Sequence, residues 1–432
     1  MKEQLIKTAE NALLMLKDRG AELAQSVVSF SETREFNVDG GEFSLLRTLF
    51  DKSIVLRAIK EGKRGSTSAN RFDEASLAAA CDACMEAASS AEADPAWDLA
   101  PAIHNGSFEM GCEVDLDLFF ERLKELMADI KARYPKIIME QLIASHEKSV
   151  TVYRNSKGAA FEKENGEYAL SLMFSGHEGE KSSSFFGTGV TTTDLSRPLI
   201  ELGSIAKDLA DVEKQIETEN IEGKFVGTLI LTPAAAQDLV GTALSNFAGD
   251  TSLLEGTSIW KDKLGQSVAS ESLTIRIDPF DERIVGGQRF TGEGFPAEGY
   301  TMIEKGILQS FMTSLYVANK TGLPRAKNSS SSMIIKAGDK SLDEIIGETE
   351  KGIIVARFSG GAPSVNGDFS GVAKNCFLVE NGKIGPALSE TMIRGNLAEM
   401  LKNILAISSE LVCDGMSVMP YMAFSGITIS GK

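Results

Sequence analysis

The chain has 432 residues, of which 43% are hydrophobic and 24% charged, so wholesale disorder is excluded and there is apolar mass for two or three domains. Its formal net charge of −17 argues against a nucleic-acid partner, which rewards clustered Lys and Arg. Five cysteines, an odd number in a long chain without a leader-like start, point to a reducing compartment, and the cytoplasm is the expected location.

Residues 2–19 carry an apolar stretch interrupted by Glu3, Lys7, Glu10, Lys17 and Asp18, which predicts an amphipathic helix rather than a signal peptide. No run is apolar over the length of a membrane span. Strand-like segments follow at 24–36, 44–50 and 53–60, and Glu61-Gly62 turns the chain back into 65–70. Residues 72–91 are Ala-rich and free of Gly and Pro, which predicts a second helix ended by Pro95 and Pro101. In 114–134 the residues Leu116, Phe119, Leu123, Leu126 and Ile130 recur at helical steps, giving one apolar face. Turn signals between 137 and 193 then predict an antiparallel meander, followed by a helix over 205–217.

Gly223 marks the main expected boundary, between an N-terminal α+β region at 1–222, with candidate units at 1–100 and 112–222, and a β-rich part at 223–432. In the latter, short apolar strands at 225–231, 272–277, 300–304, 353–359, 375–380 and 423–429 predict an antiparallel sandwich or partly closed barrel. Helices are expected at 234–247, 342–346 and 393–407, so the fold class is α+β throughout.

Residue by residue, no competent catalytic set stands out. The three histidines, His104, His146 and His177, are too far apart for a helix-borne pair, and the last two read as solvent-facing sheet residues. Cys81-x-x-Cys84 lies inside the Ala-rich helix with no second pair, and it reads as small core or surface residues rather than a redox or metal motif. The Gly-Gly and Gly-x-Gly segments lack the strand and helix context of a phosphate loop, and there is no G-x-S-x-G elbow. On the 234–247 helix the polar residues are Gln237, Asp238, Thr242, Ser245 and Asn246, and only Asp238 is a plausible zinc ligand.

Six C-terminal segments in order carry a resemblance: GTSIWKDKLGQSVAS (256–270), IDPFDE (277–282), RFTGEGFPAEGYTMIEKGIL (289–308), TGLPRAKN (321–328), GDFSGVAKNCFLVENGKIG (367–385) and TMIRGNLAEMLKNILAIS (391–408). Together they resemble the TldD/PmbA family, peptidases also labelled modulators of DNA gyrase. The family comprises two kinds of subunit, implied to cleave peptides or unfolded proteins as a pair. A TldD-like subunit bears a zinc site of the form H-E-x-x-x-H plus a later Cys, and a PmbA or TldE-like one lacks it. Laid on this chain without gaps, the two His positions fall on Gly241 and Asn246 and the Glu on Thr242, while Cys413 lies in the region of the Cys ligand. The family's F-D-x-E-G has Thr291 in place of its Asp but keeps Glu293 and Gly294, candidate contacts to peptide or partner.

The resemblance therefore implies a non-catalytic subunit that binds no cofactor itself, with zinc in a TldD-like partner. It leaves undecided whether the chain is an enzyme in its own right. The alternative is a stand-alone homodimer that binds peptides or regulates, of the gyrase-modulator type.

Overall fold

The structure is a computed structural model and describes residues 1–389 and 391–431. The chain opens with α1 (Lys2–Asp18), the strands β1 (Leu23–Asp39), β2 (Glu42–Lys60) and β3 (Lys63–Ala69), and α2 (Glu74–Ser90). After β4 (Asn105–Glu109) the same order returns: α3 (Leu116–Arg133), then β5 (Ile137–Asn155), β6 (Ala160–Glu178), the short β7 (Lys181–Ser182), β8 (Phe186–Thr192) and α4 (Ile205–Glu213). The sequence shows no repeat, but the order helix, long hairpin, strand, helix occurs twice.

Both hairpins join one sheet, ordered β3-β2-β1-β5-β6-β4, with β7 and β8 also on β6, and it curves into a half-barrel. The central seam is β1 on β5, antiparallel from Gln25↔Asn155 to Asp39↔Gln141. Alternation decides the layers, because successive side chains point to opposite faces. Val28, Ile54, Leu56 and Val152 pack with Leu5, Leu16, Cys81 and Cys84 of α1 and α2. Toward the other end Phe36, Val38, Leu142 and Ala144 pack with α3 and α4. Residues 44–50 and 53–60, expected as two strands, are one strand, because pairing with β1 runs through Asp51 and Lys52. The turn Glu61-Gly62 has φ of 53° and 71° and leaves two residues between β2 and β3.

The second half begins with β9 (Lys224–Leu231), α5 (Pro233–Ala248) and α6 (Asp250–Leu254). Then come β10 (Ile275–Ile277), β11 (Tyr300–Glu304), β12 (Ile307–Leu308), α7 (Leu315–Thr321), β13 (Met333–Ile335) and α8 (Leu342–Gly347). The last run is β14 (Lys351–Ser359), β15 (Asp368–Glu380), β16 (Lys383–Leu388), β17 (Thr391–Asn396), α9 (Leu397–Lys402), β18 (Ile404–Cys413) and β19 (Val418–Ser430). Strands β9, β14, β15, β17 and β19 close on themselves through β19–β9, so this is a closed barrel, and β13, β10, β11 and β12 extend it from β19. Leu229, Leu231, Ile353, Val355 and Phe424 share a core with Leu239, Ala243 and Phe247 of α5. Their alternates Ile230, Ile354 and Ala423 pack on Ile345 and Ile346 of α8 instead.

Two expectations are corrected. The sheets are not wholly antiparallel, since β4 on β6, β9 on β14 and β13 on β19 are parallel pairs. The helix expected at 393–407 is instead strand, six-residue helix and strand. Asn396 starts the helix by accepting the Ala398 and Glu399 N–H groups, and Asn403 ends it.

Candidate functional site

Pro233 is suited to the first turn of α5, where its missing N–H costs nothing, and the helix runs unbroken to Ala248. The three positions on which the sequence resemblance lays the zinc motif, Gly241, Thr242 and Asn246, lie on its C-terminal half. Gly241 offers no side chain, and a Cβ built there would meet nothing within 4 Å. The Thr242 hydroxyl donates to the Asp238 carbonyl one turn back at 2.8 Å, and the Asn246 amide donates to the Ser364 carbonyl at 3.1 Å. Burial raises the Asp238 carboxyl, which opposes the ionised form a cation would need.

Cys413 lies on a neighbouring segment, since Ser417 donates to Gln237 of α5 at 2.9 Å. Its thiol donates to the Arg283 carbonyl at 3.4 Å, and burial raises its pKa. Among the described residues no group of three or more His, Cys, Asp and Glu could hold a metal. These donors do not fit zinc, which takes about four ligands drawn from thiolate, imidazole and carboxylate.

The histidines are elsewhere. His146, expected to face solvent, is buried on the helix-facing side of β5, with Nε2 3.2 Å from the Cys112 carbonyl and its ring edge-on to Tyr168. Its even-numbered place beside Ala144 and Leu142 turns it inward. His177 sits 2.8 Å from Ser175 Oγ on β6, and His104 rests against Phe295. Cys81 and Cys84 are core residues whose thiols are pushed up to about 11 by burial, so they are poor nucleophiles.

The Glu293-Gly294 turn joins the two halves of the chain. The Thr291 hydroxyl accepts the Phe295 N–H at 3.2 Å, an acceptor role a carboxylate could also fill. Gly294 has φ +89°, and a Cβ on it would lie 2.5 Å from Tyr153 Cε1, so the turn and β5 approach too closely for any side chain. Tyr153 donates to the Glu293 carbonyl at 2.8 Å. The Glu293 carboxylate accepts the Leu315 N–H at 2.7 Å, and burial raises its pKa.

Beside this turn lies a cleft of about 500 Å³, the size of a small-ligand site. Strands β1 to β3 bring Gln25, Arg57 and Arg64 to it, the connection after α2 brings Trp97, and the second half brings Asp250, Glu293, Tyr316 and Arg325. Sequence reading missed every arginine and aromatic of this set, which comes from segments far apart in the chain and carries no spacing signal.

Two stretches match family domain descriptions: residues 223–431 match the PmbA/TldA metallopeptidase C-terminal domain and 27–88 match PmbA/TldA metallopeptidase domain 1. Metalloprotease PmbA of Escherichia coli is 25% identical, covering 98% of this chain and 96% of that one. TldE of Thermococcus kodakarensis shares the fold, with a TM-score of 0.85 at 22% identity over 98% of this chain and 99% of that one. So does a putative modulator of DNA gyrase from Bacteroides thetaiotaomicron, with a TM-score of 0.86 at 23% identity over 99% of each chain. With both matched stretches together spanning more than half of its length, the chain belongs to the PmbA/TldD metallopeptidase family.

Proposed function

We propose that the chain is the PmbA/TldE-type subunit of a cytoplasmic peptidase, binding no zinc itself and supporting cleavage of peptides or unfolded proteins by a zinc-bearing TldD-like partner. The observation that carries this reading is the chemistry of α5. Gly241, Thr242 and Asn246 supply neither ligand nor base where the family motif falls, and the two side chains present spend their donors on carbonyls of this chain.

A free edge of the first sheet supports a partner-binding role. Because β3 covers only Ile54 to Lys60, residues 42–53 of β2 pair on one side alone. Along that free edge Phe43, Leu45, Leu46, Leu49 and Phe50 are 36% to 63% exposed. An unpaired apolar edge is a template for another strand. The same edge suits a second copy of this chain, which keeps the homodimeric binding or regulatory reading as the alternative.

Purification of the chain alone, and of the chain co-expressed with a TldD-like protein, tests the proposal. Co-purification as a one-to-one complex, with zinc and peptide cleavage only in that complex, is the expected result. Stoichiometric zinc with peptide cleavage by the lone chain, persisting after Cys413→Ala, would overturn it. A stable homodimer that ignores the TldD-like protein would favour the alternative.

A further inference from the structure

We infer that the cleft beside the Glu293 turn is a carboxylate-binding site that holds a short apolar peptide by its acidic end. The inference does not depend on the subunit reading, since a chain that cleaved peptides itself would possess the same cleft.

The argument starts from an imbalance of hydrogen bonding. Three arginines line the cavity, and among the described residues none has a carboxylate within ion-pairing distance. Arg57 reaches only the Gly292 carbonyl, at 3.4 Å, and its Nε is buried without a partner. Arg325 donates to its neighbour's carbonyl, at Ala326, and lies 3.8 Å from the Phe295 ring centroid. Arg64 has its guanidinium 4.2 Å from the Trp97 centroid, and Trp97 stacks in turn on Tyr316 at 3.7 Å. A guanidinium is a fork of N–H donors matched to carboxylate, and most of these donors are unspent.

Of the three carboxylates of the cleft, one is ion-paired outside it and the other two each accept a backbone N–H. Asp98 pairs with Lys157, Asp250 accepts the Ser314 N–H at 2.9 Å, and Glu293 accepts the Leu315 N–H. Three guanidiniums thus face two remaining carboxylates, with no ion pair between them among the described residues, and the surplus of charge is on the cationic side in a protein of net charge −17. Burial lowers the pKa of Arg64 and of Arg325, against the opposing charge of Glu293, so each guanidinium is partly stripped of water and its attraction to an anion is less screened than at an exposed site.

Apolar walls set the rest of the ligand. Leu23, Ile59, Leu254, Met312 and Val317 face the same space, which calls for an apolar side chain next to the carboxylate. A peptide supplies that pairing from two sources, its terminal carboxylate or an Asp or Glu side chain.

The probes are acetyl-Ala-Ala-Leu as free acid, the same peptide as amide, and amidated acetyl-Ala-Asp-Leu, each titrated into the full chain by calorimetry and tryptophan fluorescence. The second tryptophan, Trp260, is buried in the barrel core, so a ligand-dependent signal reports Trp97. The free acid is expected to bind at least about tenfold more tightly than its amide, more weakly as salt rises. Arg64→Gln and Arg325→Gln are each expected to lose about fivefold or more at an unchanged melting temperature, and Arg64→Lys to lose less than Arg64→Gln. Binding of the amidated Asp peptide on a par with the free acid would assign a side-chain carboxylate, and its failure the terminal one. Equal binding of all three peptides, no binding of any, or undiminished binding by both Gln variants would overturn the inference. The acid and amide comparison uses the unaltered protein, so it stands even if a variant misfolds.

Discussion

The turn at Thr291–Phe295 and the helix α5 are the two places where the sequence resemblance lays a family motif on this chain, yet the chain treats them in opposite ways. In the turn Glu293 and Gly294 are committed: Gly294 touches Tyr153, the Glu293 carbonyl accepts two donors, and its carboxylate accepts another. On α5 the position of the first missing ligand is empty space on an ordinary helix. The turn is structural and tolerates little, whereas α5 is slack at Gly241, though Thr242 and Asn246 are hydrogen-bonded to carbonyls. Four substitutions measure that contrast, from the largest effect to the smallest.

Gly294→Ala has the largest expected cost. It forces a non-glycine residue to φ +89° and drives a methyl into the Tyr153 ring. Positive φ costs about 1 kcal/mol and overpacking about 1–3 more, so a loss of about 3 kcal/mol is expected in urea unfolding. Adding Tyr153→Phe does not rescue it, because the ring carbons are in the way as well as the hydroxyl. A loss under about 1 kcal/mol would show that the two halves part easily at this joint.

Asp208 tests what holds α5 at its start. The residue lies on α4, beside Thr232 and Pro233, in a small pocket shared with Tyr421 of the barrel. Burial pushes its carboxyl up to about 6 from the ordinary 3.8, against the Ser204 hydroxyl donated to it at 2.6 Å; neighbouring Asp211 adds to the rise and Lys207 opposes it. Because the folded pKa is raised, the stabilising contribution is complete below about pH 4 and is lost as the pH rises through about 6. Two pKa units correspond to about 3 kcal/mol. Asp208→Asn keeps an acceptor for Ser204 and removes the slope. The variant is expected to gain about 2 kcal/mol over the parent at pH 7 and nothing at pH 4, read from melting curves across that range. Parallel curves would show that Asp208 does not titrate in this window.

Tyr153→Phe, without any change at Gly294, removes the hydroxyl that donates to the Glu293 carbonyl at 2.8 Å and accepts from the Asn155 amide at 3.3 Å; the carbonyl retains the Ala100 N–H at 3.3 Å and the amide retains the Ala100 carbonyl at 2.9 Å. A loss of about 1 kcal/mol is expected, by urea unfolding. A loss comparable to that of Gly294→Ala would mean that the hydroxyl, not the close packing, secures the joint.

What was legible in the sequence follows the same divide between local and assembled features. Helical periodicity located α1, α3 and α5 within a residue or two, because one apolar stripe is written in adjacent turns. The long hairpin β1–β2 was read in pieces, since exposed edge residues such as Leu45 and Leu46 break the alternation that a half-buried strand shows. Closure of the barrel through β19 on β9 pairs the first strand of the second half with its last, a contact no window contains. The slack site on α5 was visible because its motif spans six residues. The arginine cleft was not, because Arg57, Arg64, Trp97 and Arg325 lie on segments far apart in the chain and belong to no motif; of its lining only Glu293 stands out in the sequence, as a candidate contact to peptide or partner.

Gly241→Ala is the smallest effect and the only one of the four that measures slack on α5 itself. Glycine in a helix interior costs about 0.5–1 kcal/mol relative to alanine, mostly through the freedom of the unfolded chain. That gain is realised only where a methyl meets no obstacle, and at Gly241 none lies within 4 Å. The melting temperature is therefore expected to rise by about 1–3 °C, with peptide binding unchanged. A loss of stability would mean that something covers this helix face in the purified protein. Under the proposed function, one further step separates slack from need: if Gly241→Ala is stabilising in the lone chain yet lowers the activity of the complex, the open space at Gly241 is occupied by the partner or its peptide.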